Sequence, residues 1–89
     1  PDLGPAYVTH LLEPTLQTAE ARLALHVASG ELAVTDTREA ALVLVSPIVL
    51  ALLHQEGLAG VKCRPLDVEA FARGHTERFI AMHAAPARA

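Results

Sequence analysis

An all-α fold is predicted by three features of this 89-residue chain. Apolar residues make up 52% of it, and Ala (17) and Leu (14), both strong helix formers, supply two thirds of them. The aromatic residues that sheets favour are few, with Tyr7, Phe71 and Phe79 the only ones. The apolar positions recur at three- and four-residue spacing, the period of an amphipathic helix. A mass of 9.4 kDa fits one domain, with roughly 63% of the unfolded surface buried on folding.

About four helices are expected. The first covers residues 3–12, where Tyr7 and Leu11, and Val8 and Leu12, stand one turn apart. Pro14 predicts a boundary near Glu13, because proline is accepted in a first helical turn and rejected from an interior. The second covers residues 15–29, with Leu16, Ala19, Leu23 and Val27 on one stripe and Gly30 as its C-terminal stop. Residues 31–35 form a short extended link from which Leu32 turns back to the core.

Asp36 is placed to cap the third helix, with Glu39 three residues on, as in a capping box. That helix, residues 37–55, is apolar nearly all round from 40 to 53, so it is expected to be buried on more than one side. Its uninterrupted oil falls short of the roughly 20 residues that span a bilayer. Asp67 caps the last helix, residues 68–82, whose stripe is Val68, Phe71, Ala72, His75, Phe79 and Met82. Residues 84–89 are expected to be a disordered tail, which leaves 1–83 as the domain.

Charged residues are scarce, at 19% against a usual quarter, so the chain has little polar material with which to cover itself. A covering partner is expected. The net charge of −3, with a single Lys and six scattered Arg, argues against unaided nucleic-acid binding, which needs clustered cations. Cys63 is alone, so no internal disulfide forms; with no visible leader, a cytoplasmic location is expected. The chain opens on Pro1 without a Met and is expected to be a piece of a longer protein.

Catalytic and metal-binding patterns are weak. Of His10, His26, His54, His75 and His83, only His10 has a carboxylate, Glu13, at a helical metal-site spacing. No metal or cofactor is therefore expected. Cys63 lies between Lys62 and Arg64 but has no base placed beside it, and no glycine-rich phosphate loop is present. A small helical enzyme of the chorismate-mutase type would need converging cations, which this chain lacks, so it is read as no enzyme. Pro47 carries more structural information: it removes an amide hydrogen and frees the carbonyl of Val43 one turn earlier. Ser46-Pro47 is then either a tolerated kink or a shaped crossing point at a seam or pocket wall. His75, on the apolar stripe, is expected to be a hydrogen-bonded interface residue.

Together, Pro1-Asp2-Leu3, Tyr7, Pro14, Ser29-Gly30-Glu31-Leu32, Asp36, Ala40-Ala41, Ser46-Pro47 and Leu66-Asp67 resemble the C-terminal half of tetracycline-repressor (TetR) family transcription regulators. Many members carry a Gly-Pro pair where this chain has Ser46-Pro47. The resemblance implies a homodimer in which the last two helices of each copy form a four-helix interface. It also implies a pocket for a small, usually hydrophobic effector, whose binding releases DNA from an N-terminal helix-turn-helix domain. No such domain is found within these residues, so DNA would be reached only through a part that is absent here.

Carried onto this chain, the resemblance assigns Val43, Ser46, Pro47, Leu50, Phe71, His75, Phe79 and Met82 to the dimer seam. On that basis Phe79→Asp is expected to dissociate the dimer. Tyr7 and His10, about one turn apart, are the candidate effector contacts, with no membrane partner expected. The alternative is a stand-alone helical interaction module without a pocket.

Overall fold

Each helix begins or ends where local chemistry directs it. The Asp36 carboxylate accepts the Glu39 amide hydrogen at 3.0 Å and that of Asp67 accepts Ala70 at 3.0 Å, so two helices start on filled N-caps. At Gly30 the backbone turns left-handed (φ 84°); Glu31 N–H reaches His26 O and Gly30 N–H reaches Val27 O, closing the preceding helix in a Schellman motif. The computed structural model describes residues 3–86. Pro1 and Asp2 of the family pattern, and residues 87–89 of the expected tail, lie outside the described residues.

Three long helices result, joined by the 31–36 link and a loop holding one 3₁₀ turn, Gly60–Lys62. The first, α1, runs continuously over residues 3–28, so the expected boundary at Glu13 is not there. A π turn at Val8–Leu12 explains why: Glu13 donates its amide hydrogen to Val8, five residues back, and the widened turn lets the helix pass Pro14. Thr15 and Thr18 donate their hydroxyls to the carbonyls of Leu11 (2.8 Å) and Pro14 (2.9 Å) around the same point.

The second helix, α2, covers Thr37–Gly57, ending in another π turn, Leu53–Gly57. The third, α3, is Val68–His83. Ala84 is not loose: it forms an antiparallel bridge with Leu32, in which Ala33 N–H donates to His83 O (2.8 Å) and Ala85 N–H to Glu31 O (3.0 Å). The end of α3 is thereby tied to the link that follows α1.

The core consists of Leu16 and Leu23 from α1, Leu32 from the link, Ala40 and Ala41 from α2 and Phe79 from α3. The α1 contribution is the stripe its spacing predicts. At the N-terminal end of α2, Arg38 bridges Glu13 and Glu20 of α1. These two carboxylates hold the Arg38 guanidinium above its ordinary pKa, the hydrogen bond it donates to Glu13 counting most.

The three helices form a single layer with α2 in the middle. The principal extents are 53 × 30 × 13 Å and the radius of gyration is 15.4 Å, where a compact chain of this length would have about 12 Å. The accessible surface is 6591 Å², roughly 1,600 Å² above the value expected for a compact monomer of this mass. The expectation that α2 is buried on more than one side is corrected accordingly. Val43 is 51% and Leu50 65% exposed, and Leu42, Leu52 and Leu53 are exposed as well. A central helix in one layer has two neighbours and no lid.

By length and composition α2 can also cross a membrane, with 21 residues and a mean hydropathy of 1.6 in its most apolar window. The helix outlasts the apolar run that the sequence shows.

Candidate functional site

A cleft of about 480 Å³ lies on one side of the layer, between α1 and α3. Ala19, Arg22, Leu23 and His26 of α1 form one wall, and Thr76, Phe79 and Ile80 of α3 the other. Leu44 of α2 and Leu32 of the link complete the lining, with Glu31 at the link. The volume falls within the usual range for small-molecule pockets, and apolar lining with a few polar groups is what such pockets show.

The polar groups of this cleft are organised. His26 donates from Nδ1 to Glu31 Oε1 at 3.0 Å, and the Ser29 hydroxyl donates to the same oxygen at 2.7 Å. The Schellman turn at Gly30 folds Glu31 back over the end of α1 to make this possible. Ser29 first, and His26 second, hold the Glu31 carboxyl below its ordinary pKa. Arg22 makes no ion pair with the described residues, so its cation is available at the wall. The sequence marks Ala19, Leu23, Leu32 and Phe79 only as apolar packing positions and does not bring Arg22, His26 and Thr76 together, because residues 19–32 and 76–80 meet only through the tertiary fold.

Tyr7 and His10 are not in this lining. Both are exposed near the start of α1, at the π turn, while the cleft begins at Ala19. The polar residues that line the cleft are instead Arg22, His26, Glu31 and Thr76.

The eight seam residues divide. Val43, Ser46 and Leu50 stand at i, i+3 and i+7 on α2, all exposed, and form a continuous stripe facing away from the cleft floor at Leu44. Pro47 beside them is half-buried, as are Phe71 and His75 on α3; Met82 is 78% exposed. Phe79 is only 4% exposed, packed among Leu23, Leu32 and Ala40 inside its own chain. It is a core residue and a cleft wall, and the expectation that Phe79→Asp merely dissociates a dimer is corrected to loss of the fold.

Pro47 has the consequence its chemistry predicts. It cannot donate to Val43 O, and that carbonyl instead accepts from His75 Nε2 of α3 at 3.2 Å. His75 in turn lies parallel to the Phe71 ring, with centroids 6.0 Å apart and planes 8° apart. Two turns further on, His83 donates from Nδ1 to Phe79 O at 2.9 Å and packs on the Phe79 ring.

The loop from α2 to α3 depends on Gln55, the one buried polar side chain among the described residues. Its amide donates to Arg64 O (2.9 Å) and to His54 Nδ1 (2.7 Å), and its carbonyl accepts from Leu66 N–H (2.8 Å). A Cβ on Gly60 would collide with the His54 carbonyl and ring, so the loop's close return requires glycine there. Cys63 is exposed on this loop. Among the described residues no three His, Cys, Asp or Glu side chains are grouped to hold a metal ion. Comparison with protein-family models, curated protein sequences and solved structures finds no match to this chain.

Proposed function

We propose that the chain is the effector-receiving and self-associating domain of a TetR-like transcription regulator. The observation that carries the reading is the single layer with apolar surface on both sides of α2. The cleft side offers a cavity of about 480 Å³ for a small, largely apolar molecule, with Arg22 and the His26–Glu31 pair at its wall. The opposite side offers Val43, Ser46 and Leu50 to a second copy. A standard interface takes about 800 Å² from each partner, well within the surplus surface of this chain.

A cytoplasmic location belongs to the same proposal. If α2 crossed a membrane, α1 and α3 would accompany it, carrying Glu20, Arg22, Glu69, Arg73 and Glu77 into hydrocarbon at high cost. A non-catalytic, soluble role accounts for these charges directly. Any DNA contact would fall to a separate segment, since no described helix carries a clustered basic face.

Cross-linking tests the seam. In a Cys63→Ser background, Ser46→Cys is expected to give a covalent dimer on mild oxidation, and Leu50→Asp to abolish it while leaving helicity unchanged. No cross-link at micromolar concentration would count against the homodimer. The open layer equally fits a helical interaction module that accepts another protein. In that case the chain would remain monomeric and the cleft would bind no small apolar probe.

A further inference from the structure

The bond from His75 to the Val43 carbonyl sits between the two surfaces just described. Val43 belongs to the exposed stripe, and its neighbour Leu44 lines the cleft. His75 precedes Thr76, which lines the cleft from α3. The bond exists because Pro47 deprives Val43 O of its helical donor, and among the described residues it is the side-chain hydrogen bond that joins α2 directly to α3. A ligand that pushes Leu44 away from Thr76 and Phe79 must therefore lengthen it.

We propose that the His75 imidazole is a latch, seated on the carbonyl that Pro47 leaves open, through which occupancy of the cleft changes the angle between α2 and α3. Because Val43 is on the stripe, that change is felt at the face offered to a second copy. The inference rests on the cleft being a ligand site. His75 acts here as a positioning residue and touches no ligand. Ligand binding and latch opening are linked, so weakening the latch lowers the free energy a ligand must supply to enter, and affinity rises.

A double-mutant cycle on the full 89-residue chain tests the latch without any ligand. His75→Phe keeps the ring beside Phe71 and removes the donor; Pro47→Ala restores an amide hydrogen to Val43 O. With Pro47 present, His75→Phe should lower the folding equilibrium constant roughly five-fold, as for a typical hydrogen bond, and in the Pro47→Ala background less than about two-fold. Equal effects in both backgrounds would overturn the latch. Should Pro47→Ala prevent folding, nitrogen NMR of the unaltered chain decides: His75 must carry its proton on Nε2, and a proton on Nδ1 alone would overturn the proposal.

Binding of the apolar fluorophore 1-anilinonaphthalene-8-sulfonate then tests the coupling. Leu44→Arg should abolish binding, and His75→Phe should tighten it by up to about five-fold. If Leu44→Arg leaves binding intact, the cleft reading fails, and the coupling with it. If Leu44→Arg abolishes binding but His75→Phe leaves affinity unchanged, the cleft reading stands and the latch is overturned.

Discussion

On one side of α2, Arg38, Ala41 and Val45 fall on a line at i, i+3 and i+7 that meets α1; on the other, the Val43 carbonyl, left open by Pro47, meets His75 of α3. The α1 contact combines close packing with charge: Ala41 is fully buried, and Arg38 holds two carboxylates. The α3 contact depends on Phe79 and one imidazole that fills a gap in the backbone bonding of α2. Small side chains and paired charges leave α1 and α2 one way to fit. On the other flank α3 is held by the imidazole on the open Val43 carbonyl and, at its C-terminal end, by the Leu32–Ala84 bridge. The chain thus divides into a pair of helices joined by close packing and charge and a third helix held by a buried ring, one imidazole and a bridge at its end, and the cleft opens between α1 and α3.

Four perturbations sharpen or break this comparison. Phe79→Ala has the largest expected effect, about 3–5 kcal/mol, because a nearly buried ring is removed from a small core. Circular dichroism should show a largely unfolded chain, whereas Met82→Asp, four-fifths exposed on the same helix, should keep its melting curve. Ala41→Leu comes next, at about 1–3 kcal/mol, from overpacking of the α1 contact. If it melts like the unaltered chain, the α1 contact is looser than described.

Arg38→Gln should lower the melting temperature by no more than a few degrees, and salt near 0.5 M should erase most of the difference, since the pair is partly open to solvent. Smallest is the effect of Glu31. A carboxyl whose folded pKa lies below its unfolded one stabilises the fold above the unfolded value and loses that contribution as pH falls through the folded one. Glu31→Gln should therefore lessen the loss of stability as pH falls below the ordinary glutamate value of about 4.3. A melting-temperature profile identical to that of the unaltered chain below that value would remove Ser29 and His26 as its stabilising partners.

Local chemistry was legible in the sequence, and direction was not. Asp36, Asp67 and Gly30 announce their caps because each acts on backbone groups within about one turn of itself. The open Val43 carbonyl follows from Pro47 alone, although its partner does not. Pro14 misleads, since the π turn that accommodates it is set by hydrogen bonding five residues back. On α3 the apolar stripe is about 100° wide: Phe79 stands at the edge facing the core and Met82 at the edge facing away, and periodicity identifies a stripe without choosing its edge. The cleft was hidden because its walls are some fifty residues apart in the chain, and Arg22, His26 and Thr76 look like ordinary polar helix residues until the helices meet.

The proposed dimer sets the exposed side of α2 against a second copy of this chain. Sedimentation equilibrium of the 89-residue chain at micromolar concentration tests it most directly. The expected result is a dimer, reduced to a folded monomer by Leu50→Asp. A folded monomer that stays monomeric as its concentration is raised would contradict it.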